Sequence, residues 1–121
     1  MIEQIQTDSP KILAFKLSGK LHDEDYQTFV PAVDAAVAAE GEIRLFVQFE
    51  ADFQGWDLHA AWDDIKFAAS HYANFNRIAM VGNRKWEEWM AKIGKPFTAA
   101  SIGYFDASEV EVAWMWLREG V

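Results

Sequence analysis

The chain has 121 residues, of which 51% are hydrophobic and 25% are charged, as in an ordinary globular protein. This length suits a single domain over residues 1–121 and is too short for two domains. The net charge of −8 disfavours nucleic acid as a partner, because the overall field repels phosphate. The absence of cysteine excludes disulfides and thiolate metal sites. Because signal-peptide patterns and apolar runs of about 18 residues are also absent, we expect a cytoplasmic protein without membrane spans.

The N-terminal third of the chain predicts a β-hairpin and then a helix. Strands over residues 2–5 and 12–17 flank a turn at Asp8-Ser9-Pro10, and apolar residues are frequent in both strands. Acidic residues, which are favoured at a helix N-terminus, then open a helix over residues 23–39. Pro31 lies inside this helix, where it is expected to kink the helix or remove a backbone hydrogen bond.

Strands and helices alternate through the rest of the chain. Gly41 ends the first helix, and residues 43–49 are apolar enough to predict a central strand buried on both faces. Further strands are predicted over residues 77–81 and 98–105, and further helices are predicted to begin at Trp56 or Asp57, at Asn83, and at Asp106 or Ser108. The order β-β-α-β-α-β-α-β-α predicts an α/β fold with a mixed, largely parallel sheet of about five strands, four helices and right-handed crossovers.

Aromatic and cationic residues lie at or just beyond the carboxyl ends of three predicted strands. Ligands of open α/β sheets bind at this edge, because loops and helix N-termini meet there. Rings would contact an apolar body, and Arg84 with Lys85 at a helix N-terminus would meet an acidic head group. The candidate ligand-binding residues are Phe53, Trp56, Trp62, Arg84, Lys85, Trp86, Trp89, Met90 and Tyr104. The alternative interpretation is that the rings are core anchors and the two cations belong to a solvated first turn.

The third predicted helix combines two large rings with an excess of cations. Trp86 and Trp89 share one of its faces, and its four basic residues outnumber its two acidic residues. Tryptophan beside lysine is typical of helices that lie at a lipid surface, so peripheral membrane contact is a second expectation for this segment. The acidic charge of the whole chain limits that contact to a local one.

The sequence contains no recognisable catalytic or metal motif. His59 and Asp63 are four residues apart, but the glutamate and second histidine of a zincin are missing, so a surface polar pair is favoured. His22, Asp23 and Asp25 are interpreted as helix-start residues. No nucleophile elbow or glycine-rich phosphate loop occurs, so we expect no cofactor and no enzymatic activity. An enzyme of unrecognised type is the remaining alternative.

Several short motifs occur together in the order and spacing of a known family. They are Leu17-Ser18-Gly19-Lys20-Leu21 before an acidic helix start with Tyr26, Gly55-Trp56, Arg77-Ile78-Ala79-Met80-Val81-Gly82 before Trp86, and Tyr104-Phe105-Asp106 before Ala113-Trp114. On these motifs the chain resembles, nearly end to end, the bacterial SpoIIAA-like family within the superfamily of sulfate transporter and anti-sigma factor antagonist (STAS) domains.

The resemblance implies a mixed sheet with helices and a role in binding a lipid-like or other hydrophobic ligand, or in peripheral membrane association, through the middle helices. Anti-sigma factor antagonists carry a phosphorylatable serine after the central strand, whereas residues 50–56 here contain no serine or threonine. The expected function is therefore a non-enzymatic domain that binds a small hydrophobic or amphipathic molecule. The alternative is a protein-interaction or scaffold module that uses the same aromatic surface, including for a homodimer.

Overall fold

The fold is that of a computed structural model, which describes residues 1–56, 74–82 and 101–121. The described elements are β1 (Ile2–Ile5), β2 (Ile12–Leu17), β3 (Lys20–Leu21), α1 (Asp23–Glu40), β4 (Ile43–Phe49), β5 (Gly55–Trp56), β6 (Phe75–Gly82), β7 (Ser101–Asp106), a 3-10 turn (Ala107–Glu109) and α2 (Val110–Arg118). The helices predicted to begin at Trp56 or Asp57 and at Asn83 lie outside the described residues, except for Trp56, which belongs to β5.

Five of the strands form one sheet in the order β1-β2-β4-β6-β7. β1 is antiparallel to β2, and each later neighbour is parallel. The mixed, largely parallel five-stranded sheet of the sequence analysis is therefore confirmed. β3 and β5 form a separate two-stranded parallel ladder, which was not predicted from the sequence.

One face of the sheet, here called the first face, packs against α1. Side chains alternate between the two faces along a strand, so Phe15, Leu45 and Ile78 all belong to this face. The ring of Phe29 in α1 meets the ring of Phe15 edge to face, with their centroids 4.7 Å apart. This aromatic pair packs α1 against β2. Its edge-to-face geometry is favourable for two rings, in addition to the apolar area that they bury.

α1 begins and ends at residues that favour those positions. Its first turn is acidic, and the carboxylate of Asp25 accepts a hydrogen bond from the backbone N–H of His22 at 2.8 Å. Gly41 has a φ of 82° and donates its N–H to the carbonyl of Val37, a conformation that glycine adopts at low cost. The helix continues through Pro31, whose ring nitrogen has no hydrogen to donate to the turn before it.

The opposite face of the sheet, the second face, packs against α2. Its buried residues include Ala14, Phe46 and Ala79, and from α2 it receives Leu117, which is fully buried. The ring of Trp114 stacks on that of Phe46, with centroids 4.1 Å apart and an interplanar angle of 13°. The central strand β4 is thus covered on both faces, as its apolar sequence predicts.

Candidate functional site

The carboxyl ends of four parallel strands meet at one edge of the sheet. β2 and β4 end at Leu17 and Phe49, while β6 and β7 end at Gly82 and Asp106. The register pairs Leu17 with Phe49 and Gly82 with Asp106, and the parallel register of β4 with β6 aligns these two pairs, so the four ends are level with one another. We refer to this border as the carboxyl edge.

Phe53 lies in the loop that follows β4 and turns inward. Its side chain is 0% exposed, and its ring centroid lies 4.9 Å from that of Phe49. The loop is fixed by the N–H of Phe53, which donates to the carbonyl of Glu50, and by the N–H of Gln54, which donates to the carbonyl of Gly19. Phe53 therefore forms part of the core beneath the carboxyl edge, and a contact between its ring and a ligand stays a prediction.

Trp56 reaches the same edge through the small ladder of β3 and β5. In this ladder its backbone pairs with Leu21, and Gly55 pairs with Lys20. Gly55 has a φ of 102°, which side-chain-bearing residues rarely adopt, so this position favours glycine. The ladder joins the chain beyond β2 to the chain beyond β4, and it closes this part of the edge with backbone hydrogen bonds.

Tyr104 belongs to β7, at the far side of the sheet. It pairs with Met80 of β6, is partly buried, and lies on the first face together with Ile102. β7 and β4 are separated by one strand, so their spacing across the sheet is about 10 Å. Three of the predicted site residues, Phe53, Trp56 and Tyr104, thus belong to the carboxyl edge or to the strand positions just before it.

The other six predicted site residues fall outside the described ranges. They are Trp62, Arg84, Lys85, Trp86, Trp89 and Met90, and His59 with Asp63 fall there as well. In the sequence, Arg84 follows the last residue of β6 by two positions. The contact of these side chains with a ligand stays a prediction.

Three charged side chains at or beside the described part of the carboxyl edge have partners within the protein. Lys16 lies 3.8 Å from Glu50, and both side chains are exposed to solvent. The carboxylate of Asp106 accepts hydrogen bonds from the N–H and the hydroxyl of Ser108, which lower the pKa of Asp106. Over residues 1–56, 74–82 and 101–121, no group of three histidine or acidic side chains could hold a metal ion.

Two arginines that were not among the predicted site residues anchor α2 at the opposite, amino edge of the sheet. Arg44 donates to the carbonyls of Leu117 and Glu119, the former at 2.8 Å. Arg77 donates to the carbonyl of Trp116 at 2.6 Å and to the carboxylate of Glu119 at 2.9 Å. These bonds satisfy carbonyls that a helix C-terminus leaves without intrahelical partners. A sequence signal for this anchor exists. Each of the two apolar strands β4 and β6 has one arginine near its start.

A cavity of about 440 Å³ also lies away from the carboxyl edge. It is lined by residues 4–10 together with Ile12 and Leu13, so it is built almost entirely from the β1–β2 hairpin. The hydroxyl of Thr7 in this hairpin donates to backbone carbonyls of Ser9 and Ile12. This polar group is satisfied within the hairpin, and nothing in the cavity points to a particular ligand.

No helix of the described ranges is both long enough and apolar enough to cross a membrane. Among curated proteins, none matches the chain. Among solved structures, the chain is similar to an uncharacterised protein of the DUF3478 family with a SpoIIAA-like fold from Shewanella loihica PV-4. The two share 32% sequence identity with a TM-score of 0.76, over 97% of this chain and 92% of the Shewanella chain. The SpoIIAA-like family model matches residues 12–118. The chain therefore belongs to the SpoIIAA-like family.

Proposed function

We propose that this chain is a non-enzymatic binding domain that takes an amphipathic molecule with an acidic head group at the carboxyl edge. The observation that carries the proposal is that four parallel strands end level with one another at this edge. Aromatic or cationic residues follow β4 and β6 in the sequence, and Tyr104 lies two positions before the end of β7. Ligands of open α/β folds bind outside the carboxyl ends of the strands, because loops and helix N-termini supply contacts there.

The apolar part of the ligand would contact rings, and its head group would meet cations. Trp56 and Tyr104 occupy the edge itself or the strand beside it, and Phe53 supports the loop between β4 and β5 from beneath. The apolar contacts would be completed by Trp62, Trp86, Trp89 and Met90, and the acidic head group would bind Arg84 and Lys85 at the start of the segment after β6. With a net charge of −8, the chain would need these two cations to hold an anion.

Two sources of ligand, a free amphiphile in solution and a lipid at a membrane surface, present the same chemical groups to this site. A fatty acid and an anionic phospholipid each combine an acidic head with an apolar chain, and each would use the same rings and cations. In the first case the protein carries a soluble amphiphile, and in the second it binds a membrane peripherally. The experiment is designed so that its two arms separate these sources.

The experiment measures oleate binding by isothermal titration calorimetry and vesicle binding by co-sedimentation with phosphatidylglycerol vesicles. Native mass spectrometry of protein purified without detergent tests for an amphiphile retained from the cell. The combined substitution Arg84→Ala with Lys85→Ala should weaken binding about tenfold, because two charge-assisted contacts are lost. Trp89→Ser should weaken it as well.

Matched controls lie on other parts of the molecule. Lys11→Ala removes an exposed cation at the amino end of β2, and Met115→Ser removes an exposed apolar side chain on α2. Both controls should bind oleate as the wild type does. The proposal is wrong if no amphiphile is retained or bound, or if Trp89→Ser and the Arg84/Lys85 variant bind like the wild type.

A further inference from the structure

The outer side of α2, which faces away from the sheet, carries two exposed apolar side chains. Val112 is 50% exposed and Met115 is 70% exposed, whereas Ala113 and Leu117 on the inner side are fully buried. In the described part of the chain, the other large apolar side chains exposed to this degree are the terminal residues Met1 and Val121. Away from the termini, the strongly exposed large apolar side chains of the described residues therefore lie on α2.

Two opposite charges flank Met115 on the same strip of α2. Glu111 and Arg118 are seven residues apart, which is close to two turns and places them on one side of the helix about 10.5 Å apart. Met115 lies within one residue of their midpoint. Arg118 is held in this region, since its guanidinium carbon lies 4.9 Å from the centre of the Trp114 ring and its Nε lies 3.8 Å from the carboxylate of Asp8.

This arrangement is complementary to itself under two-fold rotation. In an antiparallel pair of such helices, Met115 packs on its own counterpart, and each Glu111 faces Arg118 of the partner subunit. A two-fold interface requires one patch to match itself in this way. A parallel pair would place like charges opposite each other and would be disfavoured.

We propose that the outer side of α2 is the contact surface of a weak homodimer, in which α2 pairs with α2 of a second copy in antiparallel orientation. The occupant is a second copy because the acid and the base that flank the apolar centre complement this same strip. The helix has nine residues, so the contact is smaller than the roughly 800 Å² per partner of a standard stable interface. The dimer is accordingly a dynamic one, with a dissociation constant above about 10 μM.

This surface is independent of the proposed amphiphile site. α2 covers the second face of the sheet, and Met115 points away from that face. The homodimer therefore neither requires nor follows from ligand binding, and each proposal can fail without the other.

The test is sedimentation equilibrium of the full chain over a wide concentration range, at constant ionic strength. Wild-type protein should show a reversible monomer–dimer equilibrium. Met115→Asp should abolish it, because each dimer would bury two carboxylates at its centre. Glu111→Arg and Arg118→Glu should each raise the dissociation constant about tenfold, because every dimer then contains two like-charge pairs instead of two opposite ones.

The decisive measurements combine the two charge substitutions, Glu111→Arg and Arg118→Glu, in one chain or in one mixture. A chain with both Glu111→Arg and Arg118→Glu restores the opposite pairs and should dimerise about as well as the wild type. An equimolar mixture of the two single variants should form a heterodimer of wild-type strength, since each Arg then faces a Glu. Thermal unfolding of every variant checks that α2 is folded.

Two results would overturn the proposal. One is wild-type protein that stays monomeric at about 1 mM, well above the dissociation constants of weak specific complexes. The other is a dimer whose strength does not respond to Met115→Asp or to recombination of the charges, because such a dimer would use a different surface.

Discussion

Phe53, predicted as a ligand contact, is a core residue in the loop beside the carboxyl edge. Its side chain is 0% exposed and packs against Phe49 beneath the carboxyl edge. Phe53→Ala should lower the free energy of unfolding by about 3–5 kcal/mol, the usual cost of removing a buried phenylalanine ring. Chemical denaturation followed by tryptophan fluorescence measures this change.

A milder substitution distinguishes a packing role of the Phe53 ring from direct contact between this ring and a ligand. Phe53→Leu should cost about 1–2 kcal/mol of stability and leave oleate affinity within about twofold of the wild type. Phe15→Leu is the matched control, since Phe15 is equally buried at the centre of the first face. If Phe53→Leu weakened oleate binding about tenfold while Phe15→Leu did not, the Phe53 ring would be a direct ligand contact.

At the scale of single elements, α2 is anchored at its C-terminus by the side chains of Arg44 and Arg77. Partial burial, followed by the nearby positive charge of Arg77, lowers the pKa of Arg44 from its usual value. The guanidinium stays charged at neutral pH and donates to two carbonyls at the helix end. Arg44→Met should therefore cost about 2 kcal/mol of stability, because both carbonyls lose a charged donor.

Two further variants test this interpretation of Arg44. Arg44→Lys should recover only part of the loss, since one ammonium lacks the planar fork that reaches two carbonyls. Lys16→Met is the control, because its partner Glu50 forms only a solvent-exposed pair worth about 0.5 kcal/mol. Hydrogen exchange of the amides of α2 should speed up in Arg44→Met and stay unchanged in Lys16→Met.

The free energy of unfolding should depend on pH through Asp106, which caps the 3-10 turn before α2. Hydrogen bonds from the N–H and then the hydroxyl of Ser108 lower the pKa of Asp106, so the folded state binds this proton more weakly than the unfolded state does. The resulting stability is present above the unfolded pKa of about 3.9 and is lost as the pH falls through the lower folded pKa.

Asp106→Asn should therefore be less stable than the wild type at neutral pH, and this difference should shrink steadily below about pH 4. Urea unfolding at a series of pH values measures the difference. Ser108→Ala is the companion variant, because it removes one of the two hydrogen bonds and should raise the pKa of Asp106 in an NMR titration. A difference that stayed constant down to pH 2.5 would contradict this account.

The elements that could be predicted from the sequence are those long enough for their apolar residues to show the period of a helix or a strand. The helix predicted over residues 23–39 is Asp23–Glu40, and the buried strand predicted over 43–49 is Ile43–Phe49. The last strand was predicted over 98–105 and is described as Ser101–Asp106, because apolar residues alone do not mark where pairing starts. The ladder of β3 and β5 was missed, since two-residue strands carry no period.

The candidate site was only partly predictable for a related reason. The alternating elements predict a largely parallel sheet whose strands end at one edge, and this placed Trp56 and Tyr104 at or beside that edge. Whether a ring points inward is set by tertiary packing, so the burial of Phe53 could not be predicted from its sequence position. The roles of Arg44 and Arg77 depend on contacts more than 35 residues away along the chain, which local patterns do not carry.

At the scale of the whole molecule, the sheet separates two layers with different proposed tasks. α1 packs on the first face and α2 on the second, with fully buried side chains of β2 and β4 between them. The amphiphile site belongs to the carboxyl edge and the homodimer surface to the outer side of α2. Because these surfaces share no residue, we expect no coupling free energy between them.

The absence of coupling can be measured in both directions, because linkage requires the two values to agree. Saturating oleate should leave the dimer dissociation constant within about twofold, and Met115→Asp should leave oleate affinity within the same range. Arg84→Ala with Lys85→Ala should weaken oleate binding without changing the dimer constant. A change of about tenfold in either direction would show that the buried layer between α1 and α2 transmits ligand occupancy to α2, since packed cores shift as units rather than deform gradually.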